Sequence, residues 1–441
     1  MSALTQEAWG RRPWVAGLFV ASLVASLLSG NSDRLGLPVP PDRLLLVAAF
    51  ALLLLNGGAS ELRRLRWLPV HTAMVAMVLW TTWSALTHET LQTSYGFFAL
   101  LDRIVVPFVL FALAPVVFAR EEERHLFLRA FVVVGLYLGV TAVLEMVGAA
   151  ALVFPRYVMD PEVGILFGRA RGPQVQAEAN GLVLAACLYF SVLSAGRSRG
   201  IWRAVSIASA VICALGVLLT LTRSIWIGTV LGSLVVIVMV PALRRRIVVL
   251  AAGAVATMGC VLLAVPGLTT ILINRLTTER SVYDRQNTNA AALRAIAEHP
   301  IDGIGWMNFI DQSIFWVRQA DDYPITNVDI EVHNVVLSRA TELGLVGAAL
   351  WVACVLAGPA LAVLRPPRAV DLEGWRLVFV GYACVWFVCI LVSPVPYVLP
   401  NNLLWVLGGM LLRAHLTEPG RDPLPSPPSR LSAEGLRPSR A

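Results

Sequence analysis

Charge is scarce in this chain. Only 14% of its residues are charged and 57% are apolar, with a mean hydropathy of +0.72. A soluble domain carries roughly 25% charged residues, so the shortage excludes an ordinary water-soluble globule. Lysine is missing altogether, and all 35 basic residues are arginine. A GC-rich coding bias accounts for that absence, yet it leaves only planar guanidinium forks, which fit phosphate. The net charge of +7 is not a nucleic-acid signature. Cys187, Cys213, Cys260, Cys354, Cys384 and Cys389 all fall in apolar segments, without a CxxC pair or zinc-ligand spacing. They read as small core residues. The apolar runs lack a period of two, which excludes a membrane barrel. Trp14 to Leu28 is apolar, but no small-residue cleavage site follows, so no cleavable signal peptide is expected.

What remains is a series of apolar runs, most of them long enough to cross a hydrocarbon core of ~30 Å as helices. Inside lipid the backbone must satisfy its own hydrogen bonds, which favours helices. The sequence therefore predicts an all-α, polytopic membrane protein of about twelve transmembrane helices, with one long external loop containing short helices. Spans are expected near 13–30, 40–57, 69–86, 103–119, 127–150, 180–196, 201–220, 225–241, 246–265, 335–363, 376–393 and 399–415. Residues 1–265 would hold the first nine helices, 266–332 the long loop, 333–416 the last three helices, and 417–441 a disordered cytoplasmic tail rich in Pro, Ser and Arg.

Arginine clusters mark every second loop: Arg63, Arg64 and Arg66; Arg120 and Arg124; Arg197, Arg199 and Arg203; Arg244 to Arg246; Arg365 and Arg368. The positive-inside rule puts these loops, and both termini, in the cytoplasm of a multi-pass plasma-membrane protein. The loop 266–332 then lies outside. Its middle, Arg285 to Glu298, reads as a helix with Ala290, Leu293 and Ala297 on one face, stopped by Pro300.

External arginines run against the charge rule and stand out: Arg169 with Arg171, Arg223, Arg285 and Arg294. Arg223 sits between two apolar spans with almost no loop. It is either a snorkelling arginine beside Trp226 or an anion site facing the bundle. Arg169 and Arg171 are flanked by Gly168 and Gly172, which lets the backbone approach a ligand, although a solvated loop charge reads the same way. His333 opens a helix. It is either a polar interface residue or a general base with a pKa suited to neutral pH. Arginines that grip a diphosphate could stabilise departing charge while a histidine takes a proton from an attacking hydroxyl. The acid pairs Asp321–Asp322 and Asp329–Glu331 have no metal-site spacing, so neither a metal nor another cofactor is expected.

The order of these residues resembles the O-antigen ligase and polymerase superfamily of lipid-linked glycan transferases. Gly168-Arg169-Ala170-Arg171-Gly172 with Asn180-Gly181-Leu182 is similar to the family's Arg-Gly loop and helix-start Asn. Leu219-Thr220-Leu221-Thr222-Arg223-Ser224 is similar to its Thr/Ser-Arg pair. Arg285, then His299-Pro300-Ile301-Asp302-Gly303-Ile304-Gly305-Trp306, His333-Asn334 and Glu342-Leu343-Gly344, follows the family's series. The chain departs at Asn289, where an aromatic is usual, and in the order Thr222-Arg223-Ser224.

The resemblance implies a metal-independent glycosyltransferase working on the outer face of the membrane. The donor would be a polyprenyl-diphosphate-linked glycan and the acceptor a lipid-anchored or glycan hydroxyl. Carried over by residue, His333 is the candidate base, Arg223 and Arg285 the diphosphate binders, and Arg171 with Arg169 further binders. Ligase and polymerase differ only in acceptor. A secondary transporter is a competing reading, but the spans show no pair of similar halves, and Glu145 is the main acid within them. A scaffold reading leaves the external Arg and His unexplained.

Overall fold

The computed structural model describes residues 13–249, 252–253, 256, 259, 268–277, 280–318, 324–325, 329–367 and 370–413. The expected ninth span, 246–265, lies mostly outside these residues, and the expected tail, 417–441, lies wholly outside them. Among the described residues the architecture is helical, as the composition requires. Eight helices are long and apolar enough to cross a membrane.

The chain opens with α1, Pro13–Ala25, and α2, Pro41–Leu53. It continues with α3, Pro69–Thr87, and with α4, Ser94–Val117, which holds a π turn at Leu101–Val105. Next come α5, Glu121–Met146; α6, Ala177–Arg197; α7, Gly200–Leu219; and α8, Arg223–Met239. Three helices of the long connection follow: α9, Leu268–Thr277; α10, Arg280–Glu298; and α11, Phe309–Trp316. The bundle closes with α12, Val335–Leu364, then α13, Glu373–Ile390, and α14, Val398–Leu411. The helices α3, α8 and α14 coincide with expected spans but fall outside the eight.

The central helix is α6, which packs on α5, α7 and α13, while α8 lies along α13 and α14 along α4. In lipid, close packing and interhelical hydrogen bonds drive association rather than the hydrophobic effect. Both are present. A Cβ at Gly232 of α8 would stand 2.4 Å from the Gly381 carbonyl of α13, so only glycine allows this approach. Ser191 Oγ donates to Ser209 Oγ at 2.9 Å, and Ser194 meets Ser206 at 2.8 Å, joining α6 to α7. Phe127, Phe131, Phe190 and Trp375 fill the space between α5, α6 and α13, with Phe190 edge to face against Phe127 and Trp375 and tilted against Phe131.

One end of the bundle is tied by arginines. Arg124 donates to the carbonyls of Phe118 and Ala119 at 2.9 and 2.8 Å and pairs with Asp371. Arg197 donates to the Asp371 carbonyl, and Arg413 to that of Ala119. The long connection and the α7–α8 and α13–α14 turns gather at the opposite end.

The expected apolar face of α10 is not the one that packs. Leu293 is 60% exposed and Ala297 is exposed, whereas Ala291, Ala292 and Ala295 are fully buried with Ile304, Phe309, Trp316 and Val332. Alanine leaves room for α10 to lie close against α12. A leucine on that face would hold the two helices apart.

Candidate active site

Two segments that are separate in sequence form one unit where α6 and α8 begin. The loop before α6 docks on the end of α7, with Ala170 N–H donating to the Leu219 carbonyl at 3.0 Å. Asn180 holds the other side of that loop, donating from Nδ2 to the Ala170 carbonyl at 3.1 Å. The turn into α8 is tight, with Leu221 at φ +51° and Thr222 Oγ1 donating back to the Thr220 carbonyl. Trp226 Nε1 meets the Val217 and Leu218 carbonyls at 3.1 and 3.2 Å, closing the last turn of α7. Arg223 is thereby fixed at the first position of α8.

Beside Arg223 lies Glu178, one residue into α6. Its carboxylate accepts from Ser224 Oγ at 3.0 Å, from Ser393 Oγ, and from Tyr397 OH at 3.2 Å. Three connections thus meet at one acid. The charge of Glu178 also bears on Arg285 of α10, as does that of Arg223. Burial pulls the Arg285 guanidinium below its ordinary pKa, and Glu178 pulls it part of the way back. Arg285 Nε is buried without a hydrogen-bond acceptor.

His333 stands next to this group, just before α12. Burial lowers its pKa first, and the Arg285 cation lowers it further. Its Nδ1 lies 2.9 Å from the Glu331 carbonyl. Asn334 caps α12, accepting from Leu337 N–H at 3.0 Å, and its Nδ2 reaches the Leu391 carbonyl at 3.3 Å. Val332 is buried against α10.

The His-Pro-x-x-Gly-x-Gly stretch supports α12 and carries none of the charged groups of the site. Ile304 and Gly305 N–H donate to the Thr341 and Glu342 carbonyls at 2.9 and 3.0 Å, and Leu345 N–H donates to the Pro300 carbonyl at 2.8 Å. These bonds require a break in α12, and Gly344 supplies it at φ +69°, ψ 179°, a region open essentially to glycine alone. Trp306 then inserts into the bundle, donating from Nε1 to the Gly96 carbonyl at 3.1 Å. Arg339 lies over its ring and pairs with Glu342 at 3.5 Å.

The structure brings three of the five expected site residues together: Arg223, Arg285 and His333. Arg171 stands apart from the role expected of it. It is 1% exposed, its guanidinium donates to the carbonyls of Val163, Val158 and Asp160 at 2.6, 2.8 and 3.1 Å, and it covers the Phe167 ring. Three of its five N–H donors are thus taken by the backbone of its own loop, which gives it a structural task. Arg169 is half-buried and has a contact of its own. Arg294 braces α10 to α11 through the Trp316 carbonyl at 2.7 Å. Sequence reasoning missed Glu178, Ser393 and Tyr397, although an acid at the start of an otherwise apolar span is a usable signal. Among the described residues no group of three or more His, Cys, Asp or Glu comes together as a metal site.

Residues 208–352 match the family described as O-Antigen ligase. The matched segment contains Arg223, Arg285 and His333 and bears out the superfamily resemblance; it supports a glycan-transferring ligase or polymerase of the membrane. No curated protein matches the chain.

Proposed function

With the O-antigen ligase family as premise, we propose that the chain transfers a saccharide from a polyprenyl-diphosphate carrier to a hydroxyl acceptor on the outer face of the plasma membrane. Both termini then lie in the cytoplasm. The observation that supports this most directly is a chain of neighbours at one end of a helical bundle: the His333 imidazole feels the Arg285 cation, and Arg285 in turn feels Arg223. His333 takes the proton of the acceptor hydroxyl. The oxygen attacks the anomeric carbon, the bond from that carbon to the diphosphate oxygen breaks, and polyprenyl diphosphate leaves with the electron pair. Arg223 and Arg285 hold that diphosphate and neutralise the charge it gains. No metal is required in this scheme, because the guanidinium groups supply the positive charge.

The test is transfer from a purified lipid-linked donor in EDTA, with His333→Ala alongside. The reading expects wild-type activity in the chelator and its loss in the variant. Full activity of His333→Ala, or strict dependence on added metal, overturns it.

Ligase and repeat-unit polymerase differ in acceptor. A deletion strain with short surface-attached glycan indicates a polymerase, and one with long glycan stranded on carrier indicates a ligase. The transporter reading loses its main acidic candidate. Glu145 accepts from the backbone N–H groups of Arg171 and Gly172 at 2.8 and 2.9 Å and serves as an anchor for the loop.

A further inference from the structure

Glu331 lies two residues before His333, and its side chain reaches across to α4. Arg103, in the π turn of α4, grips it with both arms, Nη1 to Oε2 and Nη2 to Oε1, each at 2.8 Å. Tyr95 OH donates to the same carboxylate at 3.0 Å. The pair is nearly enclosed, at 9% and 14% side-chain exposure. Burial alone would raise the Glu331 pKa, but the Arg103 ion pair outweighs it and holds the carboxyl below the usual range. Glu331 is therefore ionised and fixed by three charge-assisted bonds, the strong class. Val332 is buried and Asn334 caps α12, so the residues on both sides of His333 are held as well.

The backbone of Glu331 does a different job. Its carbonyl faces His333 Nδ1 at 2.9 Å. A carbonyl only accepts, so in the neutral ring Nδ1 carries the proton and Nε2 keeps the lone pair.

We infer that Glu331, pinned by Arg103 and Tyr95, is a positioning residue. It presents its main-chain carbonyl to His333 and so leaves Nε2 as the nitrogen that receives the acceptor's proton. This rests on the transferase reading above. It adds that the clamp to α4 sets the tautomer and aim of the base.

The charged groups facing His333 are Arg285 and Asp284 from α10, and Glu331 with Arg103 and Tyr95 behind it. Glu331→Gln keeps a side chain that Arg103 can hold but removes the negative charge that favours imidazolium. The acid limb of kcat/KM for lipid-linked donor should move to lower pH. Arg103→Met frees the clamp and should lower kcat about 10- to 100-fold, with donor KM within about twofold of wild type because Arg223 and Arg285 are untouched. Arg103→Lys should recover part of the loss.

An acid limb that stays in place in Glu331→Gln, or a kcat unchanged in Arg103→Met, overturns the inference. The ¹⁵N imidazole signals of His333 in the wild-type protein test it without any variant having to fold. A protonated Nδ1 is expected, and a protonated Nε2 overturns it. These outcomes concern Glu331 alone. Failure of the base reading itself shows separately, as full activity in His333→Ala.

Discussion

Gly344 and Ile301 touch through their backbones: a Cβ added to Gly344 would lie 1.9 Å from the Ile301 carbonyl oxygen. The break in α12 and the stretch before it are thus one interlocked joint, and a Cβ added to Gly303 would stand 2.5 Å from the Glu342 carbonyl carbon on the other side. Gly344→Ala meets both a clash and a strained backbone. Strain of this kind costs on the order of 1–3 kcal/mol before any clash is counted. We expect this variant to lose monodisperse folded protein in detergent, with Tm well below wild type by scanning fluorimetry. A Tm equal to wild type would show that α12 runs straight.

On the proposed mechanism, Arg285→Ala removes a cation from beside the departing diphosphate. Loss of one positioned donor to developing charge costs about 100- to 1,000-fold in kcat. Arg285→Lys keeps the charge without the fork and should fall between. Single-turnover transfer from purified donor measures both.

The pH dependence has a definite sign. Burial and Arg285 both disfavour the imidazolium of His333, so its pKa lies below the ordinary 6.5. In the proposed mechanism the base works as neutral imidazole. Activity should therefore stay level through neutral pH and fall only as pH drops below the ordinary histidine value. Replacing Arg285 by Ala should move that fall to higher pH, because a cation opposing protonation has gone. His333→Ala should reduce kcat by about 100- to 10,000-fold at every pH.

Arg171→Met should separate stability from catalysis. The substitution leaves three buried carbonyls without a charged donor, at a cost on the order of 3–5 kcal/mol. A lowered Tm with kcat per folded molecule within about threefold of wild type is expected. An unchanged Tm with kcat collapsed would place Arg171 on the substrate.

Much of this was legible before any coordinates. Apolar runs mark the spans because lipid leaves the backbone no other partner, and the break at Pro300 shows as plainly in the sequence as in the helix end at Glu298. Arg223 and Arg285 stood out because their charge opposed the topology rule, and His333 because an imidazole at a helix start suits a general base. The face of α10 did not stand out, since hydrophobic periodicity picks Leu293, whereas close packing selects the smaller Ala291, Ala292 and Ala295. The Arg103–Glu331 clamp joins residues 228 positions apart, and no local pattern encodes that pairing. The surroundings of Arg171 were illegible for the opposite reason. Its glycine-flanked loop looks open in sequence, but it folds back so that its own carbonyls surround the guanidinium.

Glu178 draws its hydroxyl partners from two places far apart in synthesis: Ser224 midway along, Ser393 and Tyr397 near the end. A ribosome-bound chain that has already threaded α6 through the bilayer carries that acid with one hydroxyl at most until the final turn emerges. Completion of this hydroxyl cluster around Glu178 is thereby coupled to completion of translation, so the junction of three connections closes only when the last helix has been made.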